Sequence, residues 1–149
     1  MGLRQYRQEM ELVPKQETVL GERRVLIVED DQSLRPLWEK VLQNKDVPIK
    51  VDWATTLDEA ERLIRFRYRN GAPYHLVVAD IFLDGPGSGI DLWNRYGEES
   101  MEFVFVSGLP ISKFELLMSL NYGSPLYFKK PLNYMKCSEI ADMAIGWGT

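Results

Sequence analysis

The sequence predicts an α/β fold: a five-stranded parallel sheet with helices on both faces. Short apolar runs alternate strictly with stretches of helical periodicity, and most of those runs are almost free of charge, as strands buried on both sides require. Four of the five runs end in an acid, a hydroxyl or an amine. At 149 residues, with 45% hydrophobic and 27% charged side chains, the chain suits one domain with its own core.

Residues 25–28 form the first expected strand, which runs into Glu29, Asp30 and Asp31. Over residues 33–44, Leu34, Leu37, Trp38, Val41 and Leu42 recur at spacings of three and four and predict a helix. A short second strand covers 49–53, with Pro48 at its edge. A second helix covers 57–69. Thr55 or Thr56 caps it, Asp58 and Glu59 suit its positive end, Leu63, Ile64 and Phe66 form its apolar side, and Asn70-Gly71 closes it. The third strand, 76–79, delivers Asp80; a glycine-rich stretch at 85–89 then enters a short helix over 90–96. Residues 103–106 end in Ser107, and 112–120 read as a helix with Phe114, Leu116, Leu117 and Leu120 on its apolar side. The fifth strand, 126–128, runs into Lys129, Lys130 and Pro131 before a last helix over 133–145. Such alternation implies right-handed crossovers and a parallel sheet.

A net charge of -4 argues against a broad nucleic-acid-binding face, which needs clustered cations. The arginines of residues 62–69 read as the solvated side of a helix. A single cysteine, Cys137, excludes an internal disulfide and fits a reducing compartment. No stretch approaches the roughly 18 apolar residues of a membrane span, and the polar segment 4–11 has no signal-peptide centre, so no membrane insertion and a cytoplasmic location are expected. Residues 1–22 stand outside the alternation: Leu3, Tyr6, Met10 and Val13 have heptad-like spacing, but Pro14 interrupts it. The expected organisation is an N-terminal extension (1–22), one domain (23–145) and a tail (146–149).

In open α/β sheets the functional crevice lies outside the carboxyl ends of the strands. Glu29, Asp30 and Asp80 are therefore expected to gather there, and their mutual repulsion calls for a cation. Oxygen ligands with no histidine or cysteine beside them favour Mg²⁺, with waters completing an octahedron. Lys130 adds a fixed positive charge and Ser107 a hydroxyl donor. A metal, an amine and a hydrogen-bond donor around one carboxylate are what a transferring phosphoryl group requires. The blander readings are that Asp31 only caps the first helix and that His75, the one histidine, is a surface residue rather than a base.

The segments VLIVEDD (25–31), VVADIFLDGPGSGIDL (77–92), FVSG (105–108) and YFKKP (127–131), in this order at successive strand ends, resemble the receiver domain of two-component response regulators. The resemblance spans about residues 23–145 and implies a flavodoxin-like, doubly wound sheet of strand order 2-1-3-4-5. It implies that Asp80 accepts a phosphoryl group from a histidine kinase or a histidine phosphotransfer protein. Asp30 and Asp80 would hold Mg²⁺ together with the Phe82 backbone carbonyl, and Glu29 would act through water. Lys130 would pair with a phosphoryl oxygen, the Lys130-Pro131 bond would be cis, and Lys129 would be a bystander. Ser107 and Tyr127 would form the switch. The output surface would be the fourth helix, fifth strand and fifth helix, including Phe114 and Tyr127, facing a downstream protein target or a second copy in a phosphorylation-dependent homodimer.

The chain departs from the family pattern after Asp80, where Asp84, Pro86 and Gly89 stand at plus four, plus six and plus nine, one residue later than usual for the glycine. Phe82 and Leu109, each two places after a key residue, cannot position an attacking water by hydrogen bonding, which implies a long-lived phosphorylated form. Two rivals fit less well. A hydrolase with an aspartyl nucleophile wants a second carboxylate just after it, where Ile81 and Phe82 stand, and a nucleotide-binding protein wants a glycine-rich turn where Glu29-Asp30-Asp31 stands. The remaining alternative is a receiver-fold interaction module that works without phosphorylation.

Overall fold

The structure, a computed structural model, describes residues 21–97, 99, 101–121, 123 and 125–146. β1 (Arg23–Val28), β2 (Ile49–Ala54), β3 (Leu76–Asp80), β4 (Glu102–Ser107) and β5 (Leu126–Lys129) form one parallel sheet in the order 2-1-3-4-5. A 3-10 turn, Gln32–Leu34, leads into α1 (Arg35–Gln43); α2 (Leu57–Arg69), α3 (Gly89–Tyr96), α4 (Ile111–Ser119) and α5 (Tyr134–Ile145) follow the next four strands. The expected flavodoxin-like α/β fold is the fold observed. Of the expected extension at 1–22, only Gly21 and Glu22 fall among the described residues; of the tail at 146–149, only Gly146 does. No helix among the described residues is long and apolar enough to cross a membrane.

Alternate strand residues face opposite sides of a sheet. Val25, Ile27, Leu76, Val78, Val104 and Val106 accordingly pack with Trp38, Val41 and Leu42 of α1 and with Cys137, Ile140, Ala141 and Ala144 of α5. Leu26, Val28, Val77, Ala79, Phe103 and Phe105 face α2, α3 and α4 through Leu57, Ala60, Ile64, Tyr68, Leu92, Tyr96, Phe114 and Met118. β3 and β4 are central and almost wholly buried, whereas β2 and β5 are the edges and keep exposed residues, including the charged Lys50 and Lys129.

Side chains fix the starts of α2, α3 and α5. Thr56, not Thr55, caps α2 by accepting the Glu59 N–H at 3.1 Å, and Ser88 and Asp91 form a reciprocal capping box on α3. Asn133 caps α5 through the Lys136 N–H at 2.9 Å. α4 starts at Pro110 with no side-chain cap.

Three apolar assignments in the helices are corrected. Phe66 is 53% exposed, because it lies half a turn away from the buried line Ala60, Ile64 and Tyr68; the Arg67 guanidinium lies 5.6 Å from its ring. Leu116 and Leu120 are 65% and 79% exposed, because α4 buries the line through Phe114 and Met118 and they lie on the opposite side.

Candidate functional site

Register brings the predicted residues together. Val28 lies opposite Ala79 across β1 and β3, so Glu29 and Asp80 emerge side by side. Asp80 lies opposite Val106 and Ser107 opposite Lys129, which sets Ser107 and Lys130 at the same rim. Two backbone bonds lock these ends, Glu29 N–H to Ala54 O at 2.8 Å and Lys130 N–H to Ser107 O at 2.7 Å.

One carboxylate oxygen from each of Glu29, Asp30 and Asp80 lies within 4.8 Å of the others. Glu29 and Asp80 are buried, and Asp30 is half-buried at the mouth. The Lys130 ammonium donates to Asp80 Oδ2 at 2.8 Å and pairs with Glu29 Oε1. Burial pushes the Glu29 carboxyl up to about 7; Lys130 opposes the rise and the Asp80 carboxylate adds to it. For Lys130, burial alone would lower the pKa, but Asp80 and Glu29 together hold it above the ordinary lysine value. One ammonium therefore leaves the three acids short of positive charge. An all-oxygen cluster of this size and charge fits a hard divalent cation, with Asp30, Asp80 and Glu29 as the side chains placed to hold it.

The Phe82 N–H donates to Asp80 Oδ1 at 3.3 Å, which keeps that backbone beside the carboxylate, while the Phe82 side chain is exposed. The loop after β3 is closed by a bridge between Phe82 and Ser88, and Gly85 and Gly87 between them take φ of 73° and 91°. Gly89 then packs on the backbone of Asp80: a Cβ there would stand 2.1 Å from the Asp80 carbonyl oxygen.

Ser107 is fully buried, and its hydroxyl accepts the Leu109 N–H at 3.3 Å. The Tyr127 hydroxyl donates to the Ser107 carbonyl at 3.0 Å and also to the Leu109 carbonyl. The half-buried Tyr127 ring stacks on Phe114 at 4.2 Å, and Phe114 continues edge-on to Phe105 at 5.7 Å. Phe114, expected as part of an output surface, is instead buried, 4% exposed; the exposed apolar residues around α4 and β5 are Ile111, Leu116, Leu120 and Leu126.

The Lys130-Pro131 bond is cis, and Lys129 points to solvent. Asp31 caps the 3-10 turn, accepting the Ser33 N–H at 3.0 Å and its hydroxyl at 2.6 Å. His75 lies at the opposite end of the sheet, where its Nδ1 accepts the Arg24 N–H at 3.1 Å. Sequence reasoning missed Lys136, whose ammonium reaches the Lys129 and Pro131 carbonyls on either side of Lys130. Its signal was a lysine at the third position of a helix, where an acid is favoured.

No protein-family model matches the sequence, and no curated protein does. Solved structures do. The phosphorylated cyanobacterial phytochrome response regulator RcpA is similar with a TM-score of 0.71 at 20% identity, covering 86% of this chain and 97% of that one. A CheY-like response regulator receiver domain protein from Methanospirillum hungatei matches at 0.62 and 22% identity over 83% and 93% of the two chains. HP1043, an orphan response regulator of H. pylori, matches at 0.62 and 24% identity over 83% and 98%. The fold is that of response-regulator receiver domains.

Proposed function

We propose that this chain works as a receiver domain: Asp80 accepts a phosphoryl group from a phosphohistidine of a histidine kinase or phosphotransfer protein, in a Mg²⁺-dependent reaction, and the charge change switches the α4-β5-α5 surface by moving α4 and β5 against a fixed α5. The observation that carries the reading is the Lys130 ammonium 2.8 Å from a buried aspartate that shares its pocket with Glu29 and Asp30.

An Asp80 oxygen attacks phosphorus as the phosphorus–nitrogen bond of the phosphohistidine breaks, and the electron pair leaves with the imidazole. Bound Mg²⁺ supplies neutralising charge to the phosphoryl oxygens. Asp30, Asp80 and the Phe82 carbonyl would hold it, with Glu29 acting through water. Lys130 exchanges its carboxylate partner for a phosphoryl oxygen, a move of one side chain on a fixed backbone. The Ser107 hydroxyl turns from Leu109 to donate to a second phosphoryl oxygen. Because Tyr127 is bonded to the carbonyls of both Ser107 and Leu109, that turn reaches the ring stacked on Phe114 and so reaches α4.

The chemistry is confined to the chain's own aspartate, and with Phe82 and Leu109 beside the site the acyl phosphate persists. The setting that suits it is the cytoplasm, with a protein target or a second copy reading the altered surface. Incubation with acetyl phosphate and Mg²⁺ tests the reading by mass: the wild type gains one phosphoryl group, whereas Asp80→Asn and metal-free samples gain none. A wild type without that gain would leave the alternative, an interaction module that works unphosphorylated.

A further inference from the structure

We infer that Lys136 is a positioning residue for the phosphoryl site, clamping the turn that presents Lys130. Its ammonium donates to the Lys129 carbonyl at 3.2 Å and to the Pro131 carbonyl at 3.3 Å, the two residues that bracket Lys130 in the chain. Its own backbone N–H is held by the Asn133 side chain at 2.9 Å, so the donor is anchored to the first turn of α5.

A lysine at this place is costly on two counts. The first turn of a helix carries positive partial charge and favours acids, and Lys129 and Lys130 add like charge close by. Two carbonyl acceptors offset that cost, and both belong to the same three-residue turn. With the Lys130 N–H fixed on Ser107 O, the turn is tied on one side to β4 and on the other to α5, and only the Lys130 side chain is left to move. That is what the proposed reaction asks: an ammonium that changes partners from carboxylate to phosphoryl oxygen while its Cα stays in place. The inference rests on the receiver reading and adds to it a residue that touches neither metal nor phosphoryl group.

The test is the rate of phosphorylation by acetyl phosphate in saturating Mg²⁺, alongside Mg²⁺ affinity by calorimetry, for the wild type, Lys136→Met and Lys136→Arg. Methionine keeps length and loses the donors; arginine keeps both charge and donors. The expected result is a rate about tenfold lower for Lys136→Met, as a loosened reacting group implies, with Mg²⁺ affinity unchanged and most of the rate restored in Lys136→Arg. Equal rates for wild type and Lys136→Met, an arginine variant as slow as the methionine one, or a parallel loss of Mg²⁺ affinity would each overturn the inference alone. A wild type that takes up no phosphoryl group would overturn the receiver reading and this inference with it.

Discussion

The two layers that cover the sheet are built differently. On one side α1 and α5 pack through aliphatic and small residues around Trp38 and are also bolted together: Lys45 Nζ donates to the Ser138 hydroxyl and carbonyl and pairs with Asp142 at 2.7 Å, and Asn44 donates to the Tyr134 hydroxyl at 2.9 Å. On the other side α4, which like α1 has no side-chain cap, seats only Phe114 and Met118 in the core and leaves Leu116 and Leu120 in solvent. An edge-on aromatic series, Trp93, Phe103, Phe105 and Phe114, ends in the Phe114–Tyr127 stack directly under it. The difference teaches where a signal can go. The α1–α5 layer is cross-tied and costly to shift, whereas on the proposed reading α4 is the element free to move with one stacked tyrosine.

The sharpest way to break this contrast is in the cores of the two layers. Ile140→Ala, fully buried in α5, should cost about 2–5 kcal/mol in urea denaturation, whereas a loss well under that would mean the α1–α5 layer is no more rigid than α4. A smaller effect is expected in the pocket between them. With the Glu29 carboxyl raised from 4.5 to about 7, the folded chain keeps a proton that the unfolded chain has lost, so in metal-free buffer stability should fall as the pH rises from 4.5 to about 7. Glu29→Gln should remove that slope and stabilise the metal-free chain above neutral pH by on the order of 2 kcal/mol, read from thermal melts across the pH range. A slope of the opposite sign would show the carboxylate to be stabilising there.

Next in size is the bolt. Lys45→Met removes a largely buried ammonium from three acceptors and should cost about 1–2 kcal/mol, with hydrogen exchange quickening along both α1 and α5. Exchange confined to one of the two helices would deny the coupling. The smallest effect belongs to α4: Leu116→Ala should change stability by less than about 0.5 kcal/mol, and the amides of α4 should exchange faster than those of α5 in the wild type.

The same contrast explains what could be read from the sequence. β1, β3 and β4 were legible because strands buried on both faces leave near-continuous apolar runs, and strand-end chemistry needs only topology to bring Glu29, Asp30, Asp80, Ser107 and Lys130 to one rim. Asp31 as a cap, although of the 3-10 turn and not of α1 itself, and His75 as a surface residue were legible for similarly local reasons. α4 was harder: Ile111, Phe114, Leu116, Leu117, Met118 and Leu120 are more apolar residues than one face can bury, so periodicity did not say that Phe114 goes in while Leu116 and Leu120 stay out. Phe66 misled in the same way, and Lys136 was overlooked because its partners are backbone carbonyls, which leave no trace in side-chain pattern.

The central claim, that charge arriving at Asp80 moves α4 and β5 and leaves α1 and α5 still, is tested most directly by an NMR titration with Mg²⁺ followed by beryllofluoride, a phosphoryl mimic. The account predicts that Mg²⁺ alone perturbs the acidic pocket, and that beryllofluoride extends the shifts through Ser107 and Tyr127 to the whole of α4. Shifts that stay within the pocket, or that spread into the body of α1 and α5 instead, would contradict it.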